Sequence, residues 1–249
     1  MKIKAQIPNL FTMLNLFSGC VALVFVSGFE FELAFYFVCL GIFFDFFDGF
    51  FARKFGVAGP LGVQLDSLAD MVTSGVVPGY VMYKMLYDIE FLDIISEYHK
   101  FNSNVIFYIP FIGFIITLGA CYRLAKFNID ERQSDSFIGL PTPANALFFT
   151  SLPLINASFF DDNFSGIIYN NWVLIGLCFL SAYIMNAEIP LFSMKIKNFS
   201  FARYKLQVFF LLISVLMLTF LQILAVPLVI IIYVLLSVIN NMLNKKASV

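Results

Sequence analysis

Long apolar runs broken by brief polar punctuation make up most of this chain. A helix needs roughly 17 to 25 residues to cross the hydrocarbon core of a bilayer. Stretches of that length occur at about 9–27, 32–53, 63–86, 105–127, 142–160, 170–189, 204–223 and 225–243. The pattern predicts an all-α integral membrane protein, a bundle of about eight transmembrane helices, with the last two split at the short link Leu224 to Pro227. Met1 to Gln6 runs directly into the first span, which is read as retained rather than cleaved. With no internal repeat, low-complexity tail or long linker, residues 1–249 read as a single integral domain.

Within the second span the small and acidic residues fall in phase. Gly41, Asp45, Asp48, Gly49 and Ala52 recur at steps of three and four, while Phe43, Phe44, Phe46, Phe47, Phe50 and Phe51 occupy the rest of the surface. The third span repeats the arrangement, with Gly62, Asp66, Asp70 and Ser74 in one row, Ala69 and Thr73 alongside, and Pro60 in the opening turn. The two acidic stripes are expected to meet across a helical hairpin. At a rise of about 1.5 Å per residue, Asp45 lies about 12 Å below the Arg53 end of its helix, so all four aspartates can reach one pocket.

Ionised carboxylates at membrane depth are costly, and they persist where they face a polar interior, bind cations or carry out function. Hard divalent cations such as Mg²⁺ take oxygen ligands and are often held by a few carboxylates together with substrate phosphates. Such ions would neutralise the aspartates and clamp a diphosphate. Gly49, Ala52 and Gly62 would let a phosphorylated ligand approach the backbone, and Arg53 at the mouth suits a phosphate oxygen.

Composition and charge then place the site. The chain is 61% apolar with 33 Phe and only 12% charged residues, and its mean hydropathy of +0.90 makes lipid its solvent. Lys2, Lys4, Arg53, Lys54, Arg123, Lys126, Arg132, Lys195, Lys197, Arg203, Lys205, Lys245 and Lys246, 13 of the 15 basic residues, fall on one side of the predicted bundle. Lys84 and Lys100 fall on the other, with Glu30, Glu32, Asp88, Glu90, Asp93, Glu97, Asp161 and Asp162. The positive-inside bias therefore predicts both termini in the cytoplasm and a pocket open to it; the cell's inner (cytoplasmic) membrane is the expected location. Basic residues spread along a membrane face argue against a nucleic-acid partner. Cys20, Cys39, Cys121 and Cys178 show no metal or redox spacing, and His99 is expected to be solvated in an outer loop.

Asp45, Asp48, Gly49, Ala52, Arg53, Gly62, Asp66 and Asp70 write D-x2-D-G-x2-A-R-x8-G-x3-D-x3-D. This signature closely resembles that of the CDP-alcohol phosphatidyltransferase family. The resemblance implies a six-helix core over about residues 1–200, additional helices over about 201–243, and a homodimer. It implies transfer of a phosphatidyl group from CDP-diacylglycerol to an alcohol, with release of CMP, and dependence on a divalent cation, Mg²⁺ or Mn²⁺, as two ions. It assigns Asp45, Asp48, Asp66 and Asp70 to the metals and Asp70 to the general base. Asp48, Gly49, Ala52, Arg53 and Gly62 are assigned to the CDP-lipid, and Asn9 and Thr12, three apart at the start of the first helix, are placed to turn toward the same nucleotide, with capping of that helix as the alternative for Asn9.

Three further stretches, Ile7 to Gly19, Arg123 to Asn128 and Phe137 to Ala144, resemble the branch of the family whose acceptor is L-serine. Phosphatidylserine is then the expected product, and Arg123, Lys126, Asn128 and Asn145 are the expected acceptor residues. Lys126 stands where arginine is usual in that branch, and Glu188 where a small polar residue is common. Gly139 to Pro143 reads as a rigid lead into the fifth helix. Three rival readings are a relative using glycerol 3-phosphate or an inositol phosphate, an aspartate-rich prenyltransferase, and a divalent-cation transporter. The first wants a richer basic cluster, the second leaves Gly49, Ala52, Arg53 and Gly62 unexplained, and the third wants carboxylates reachable from both sides.

Overall fold

The computed structural model describes residues 3–97, 108–130, 137–155, 169–192 and 205–247. Helix α1 spans Ile3–Ser27 and α2 spans Phe31–Phe55. Gly56, at φ +61°, ends α2 in the left-handed conformation that glycine adopts without steric cost. Pro60 then opens α3 (Pro60–Asp70), where its missing N–H loses no helical bond.

Directly after Asp70 the helix widens into a π turn, Met71–Val76, before α4 (Val77–Glu97) resumes. The expected i, i+4 row from Gly62 to Ser74 is therefore interrupted just beyond its last carboxylate. Such turns are frequent at functional sites. This one is held from outside: Thr73 Oγ1 donates to the Asn15 carbonyl at 3.1 Å, and Thr117 Oγ1 donates to the Gly75 carbonyl at 2.9 Å.

A 3₁₀ turn, Ile109–Phe114, leads into α5 (Ile115–Ile129). The chain continues through β1 (Phe137–Ile138), α6 (Thr142–Ile155), α7 (Asn171–Asn186) and β2 (Pro190–Leu191). It closes with α8 (Lys205–Leu221), a 3₁₀ turn at Gln222–Leu224, and α9 (Ala225–Ala247). Among the described residues, four stretches are long and apolar enough to cross a membrane: Gln6–Ser27, Phe31–Phe55, Ile109–Ile129 and Leu206–Leu243. The last, at 38 residues, is broken by the 3₁₀ turn, and α8 folds back so that the Phe210 ring lies 5.6 Å from that of Tyr233 on α9. His99, Lys100, Arg132, Asp161, Asp162, Lys195, Lys197 and Arg203 lie outside the described residues, as does the far end of the expected fifth span.

One departure from an all-helical reading is a two-residue antiparallel ladder, which pairs Phe137 with Leu191 and Ile138 with Pro190. Gly139 follows at φ +75°, its N–H donating to the Ile189 carbonyl at 3.0 Å, and Leu140 N–H donates to the Ile184 carbonyl at 3.1 Å. This clip fixes the start of α6 to the end of α7.

The core runs through Ala22, Val26, Val38, Met82, Met85, Phe149 and Leu174. Outside it the apolar surface continues. Phe43 and Phe46 are more than half exposed, whereas Phe44, Phe47 and Phe51 turn inward to meet the Phe11 ring at 5.3–6.2 Å. The phenylalanines of α2 therefore divide between lipid and the α1 seam. With these faces, the chain is an integral membrane protein.

Candidate active site

α1 packs against both α2 and α3, whereas α2 and α3 make few direct contacts with each other. The acidic helices do not close as a tight hairpin; they lean on α1 and leave a cleft between them. Close approach to α1 is permitted by Gly41, where a Cβ would sit 2.8 Å from Thr73 Cγ2 and 2.9 Å from Asn15 Oδ1.

Carboxylate oxygens of Asp45, Asp48 and Asp66 lie within 4.8 Å of one another. Thr12 on α1 donates its hydroxyl to Asp48 Oδ2 at 2.6 Å, while also bonding the Pro8 carbonyl at 3.2 Å. Asp70 stands outside this triplet but interacts electrostatically with Asp66 and Asp48, and it accepts a hydrogen bond from Asn15 Nδ2 at 3.1 Å. The donors are all oxygens, and the carboxylates outnumber the cations beside them, Arg53 and Arg123. That donor set fits a hard divalent cation.

The cleft above the triplet has a volume of ≈ 300 Å³. Asn9, Thr12, Asp48, Gly49, Ala52, Arg53, Gly62 and Asp66 all line it, so every residue expected at the CDP-lipid site borders one space. At Gly49 a Cβ would approach Arg53 Nη1 to 3.3 Å, so the missing side chain leaves room for the guanidinium to lie along its own helix. At Gly62 the nearest atom to a Cβ is Asn9 Oδ1, at 3.9 Å. That wall of the cleft is open.

The expected acceptor residues separate into three places. Arg123 is buried on α5, within electrostatic reach of Asp70, and its Nε has no hydrogen-bond partner among the described residues. Lys126, one turn on, forms an ion pair with Glu188 at 3.7 Å, so the two positions that depart from the branch pattern meet each other. Asn128 exchanges hydrogen bonds with Ser67 of α3 at 2.9 and 3.2 Å, tying α5 to the acidic helix. Asn145 is elsewhere. It accepts from Ser181 Oγ at 2.7 Å and lines a second, apolar cavity between α6, α7 and α9.

Asn15 and Ser67 are the site neighbours that the motif did not name. Asn15 had a visible signal: Asn9, Thr12, Asn15 and Ser18 recur every third residue on an otherwise apolar helix, which sets them along one side. Ser67 had none, because its partner Asn128 lies 61 residues away.

Fold and site together define an integral membrane protein with an acidic, oxygen-lined centre beneath an open cleft. The model of the CDP-alcohol phosphatidyltransferase family matches residues 5–183. The chain is 34% identical over 188 residues to a CDP-diacylglycerol–serine O-phosphatidyltransferase of Bacillus subtilis, covering 74% of this chain and 88% of that one. A protein of the same description from Helicobacter pylori is 30% identical over 219 residues, covering 86% and 81%. Another, from Methanocaldococcus jannaschii, is 32% identical over 197 residues, covering 79% of each. The chain belongs to the CDP-alcohol phosphatidyltransferase family.

Proposed function

We propose that this enzyme transfers the phosphatidyl group of CDP-diacylglycerol to the hydroxyl of L-serine, giving phosphatidylserine and CMP. The observation that carries the chemistry is the Asp45, Asp48 and Asp66 triplet beneath a cleft edged by Gly49, Ala52, Arg53 and Gly62. Serine as acceptor is supported by the activity for which the three relatives are named and by one buried cation, Arg123, beside Asp70. A single guanidinium matches a carboxylate well, and its unpaired Nε supplies a free donor. A phosphorylated acceptor would call for more positive charge. Lys126 is already engaged by Glu188.

The diphosphate lies along the open wall at Gly62, facing the Arg53 guanidinium that rests against Gly49 and donates to its oxygens. Asp45, Asp48, Asp66 and Asp70 would hold Mg²⁺ or Mn²⁺, as two ions, which when bound supply positive charge to the diphosphate and the departing CMP. Arg123 receives the serine carboxylate and so holds the serine hydroxyl near Asp70. Asp70 takes the hydroxyl proton as the serine oxygen bonds to the β-phosphorus and the bond to the CMP oxygen breaks. Asn15, donating to Asp70 Oδ1, leaves the other carboxylate oxygen for that proton. The acyl chains stay in the inner leaflet, serine arrives from the cytoplasm, and the protein works as a homodimer with both termini cytoplasmic.

The test is release of CMP by purified protein given CDP-diacylglycerol, Mg²⁺ or Mn²⁺, and an alcohol. Serine is expected to support turnover, and glycerol 3-phosphate and inositol phosphate are not. Equal release with all three would remove serine as the acceptor. Asp70→Asn is expected to abolish turnover while retaining metal-dependent binding of the CDP-lipid; retained turnover would remove Asp70 as the base.

A further inference from the structure

The cavity that contains Asn145 has no part in the chemistry above, and it shares no lining residue with the aspartate cleft. It measures ≈ 330 Å³ and is walled almost entirely by aliphatic and aromatic side chains of α6, α7 and α9. Leu180 on α7 and Ile231 and Leu235 on α9 form its mouth, each 43–54% exposed, so the cavity is continuous with the lipid-facing surface. Among the described residues, no charged side chain lines it. Its polar atoms come from Asn145, which is 1% exposed, and Ser181, which is 6% exposed. Ser181 donates to Asn145 Oδ1, and Asn145 Nδ2 has no hydrogen-bond partner among the described residues.

A buried donor without an acceptor costs about 1–3 kcal/mol, and a site that supplies an acceptor recovers that cost. The depth of this donor narrows what the acceptor can be. Asn145 lies three residues inside the start of α6, and Ser181 five residues inside the end of α7. At about 1.5 Å per residue, the pair sits roughly 5–8 Å inside that end of the bundle. The interfacial layer outside the hydrocarbon core is itself about 5–8 Å deep on each side. Glycerol ester carbonyls reside at that boundary, with their acyl chains running inward from it.

We infer that the α6–α7–α9 groove binds one acyl chain of a resident diacyl phospholipid, whose ester carbonyl accepts a hydrogen bond from Asn145 Nδ2. The groove reads the ester and the chain rather than the headgroup, because it offers no charge to a headgroup. The occupant is a lipid of the surrounding bilayer, not the reacting CDP-lipid. It seals α9 against α6 and α7 as a side chain would.

The experiment compares dioleoyl phosphatidylglycerol with its di-ether counterpart, which lacks the carbonyls, on full-length protein in detergent. Lipid retained per chain is counted by native mass spectrometry. The diester is expected to be retained about fivefold more tightly, the yield of one hydrogen bond. Asn145→Leu is expected to level the two lipids. Leu180→Trp, which keeps Asn145 and fills the mouth, is expected to remove both. Equal retention of diester and di-ether by the unaltered protein overturns the inference, as does full retention by Leu180→Trp. Excess phosphatidylethanolamine and CDP-diacylglycerol are expected to displace the bound lipid equally well. Displacement by CDP-diacylglycerol alone would make the groove a substrate tail site and overturn it as well.

Discussion

Thr12 and Asn15 show how single polar side chains set the acidic centre from a neighbouring helix. Each donates to one aspartate, Thr12 to Asp48 and Asn15 to Asp70, so each fixes a carboxylate rotamer and occupies one of its lone pairs. Groups that orient metal ligands typically carry 10- to 100-fold in metal affinity. Thr12→Val is therefore expected to raise the Mg²⁺ or Mn²⁺ concentration for half-maximal turnover about tenfold. Thr12→Ser keeps the hydroxyl and is expected to restore it. Asn15→Leu acts on a different quantity: kcat should fall by about tenfold or more, the size of a hydrogen bond to a charged group, with the KM for CDP-diacylglycerol little changed. A rise in that KM with kcat intact would place Asn15 at the nucleotide instead. At this scale much of the site was legible. Intramembrane aspartates demand an explanation wherever they stand, and helical phase gathered Asp45, Asp48 and Asp66 correctly. Asn145 shows the limit, because its place in a motif carried no information about which cavity it lines.

Between helices, the geometry depends on where small residues let backbones approach. At Gly41 even one methyl group would press on both Thr73 and Asn15 Oδ1, the side chain that holds Asp70. Gly41→Ala is therefore expected to lower turnover by moving α2 away from α1, with the CDP-lipid cleft still able to bind. Comparing kcat with ligand affinity in the same preparation checks this. Gly139 is constrained more severely: φ is +75°, and a Cβ would run into the Met185 carbonyl. Left-handed backbone alone costs an L-residue about 1–2 kcal/mol. Gly139→Ala should therefore lower the melting temperature by several degrees, and an unchanged melting temperature would show that the clip between α6 and α7 yields freely. The spans at Gln6–Ser27, Phe31–Phe55, Ile109–Ile129 and Leu206–Leu243, out of about eight expected, and the break near Leu224 were legible because length and hydropathy suffice for them. The π turn was not. Met71–Val76 has no local signature, and its bonds to Asn15 and Thr117 come from residues distant in sequence. The splaying of α2 and α3 was hidden for the same reason, since both follow α1 rather than each other.

Across the whole molecule, charge and site must agree on one direction. Arg53 and Lys54 close α2 at the mouth of the aspartate cleft, and Arg123 and Lys126 lie near the end of α5, which Asn128 and Ser67 tie to α3. The cleft therefore opens at the end of the bundle that carries Arg53, Lys54, Arg123 and Lys126, where the charge pattern of the sequence predicts most of the other basic residues. Each Lys or Arg near an anionic cytoplasmic surface is worth about 1 kcal/mol, so such an imbalance gives a strong preference for one orientation. A cytoplasmic mouth would also match the proposed chemistry, because serine and the released CMP are water-soluble. Placing single cysteines on a background without Cys20, Cys39, Cys121 and Cys178 tests the direction. Lys54→Cys is expected to react with a membrane-impermeant maleimide only in inverted vesicles, and Lys100→Cys only from outside intact cells. Labelling of Lys54→Cys from outside would reverse the bundle and strand the serine pocket on the wrong side of the membrane. Because the reagent reads accessibility rather than turnover, that result would stand whichever alcohol the enzyme uses.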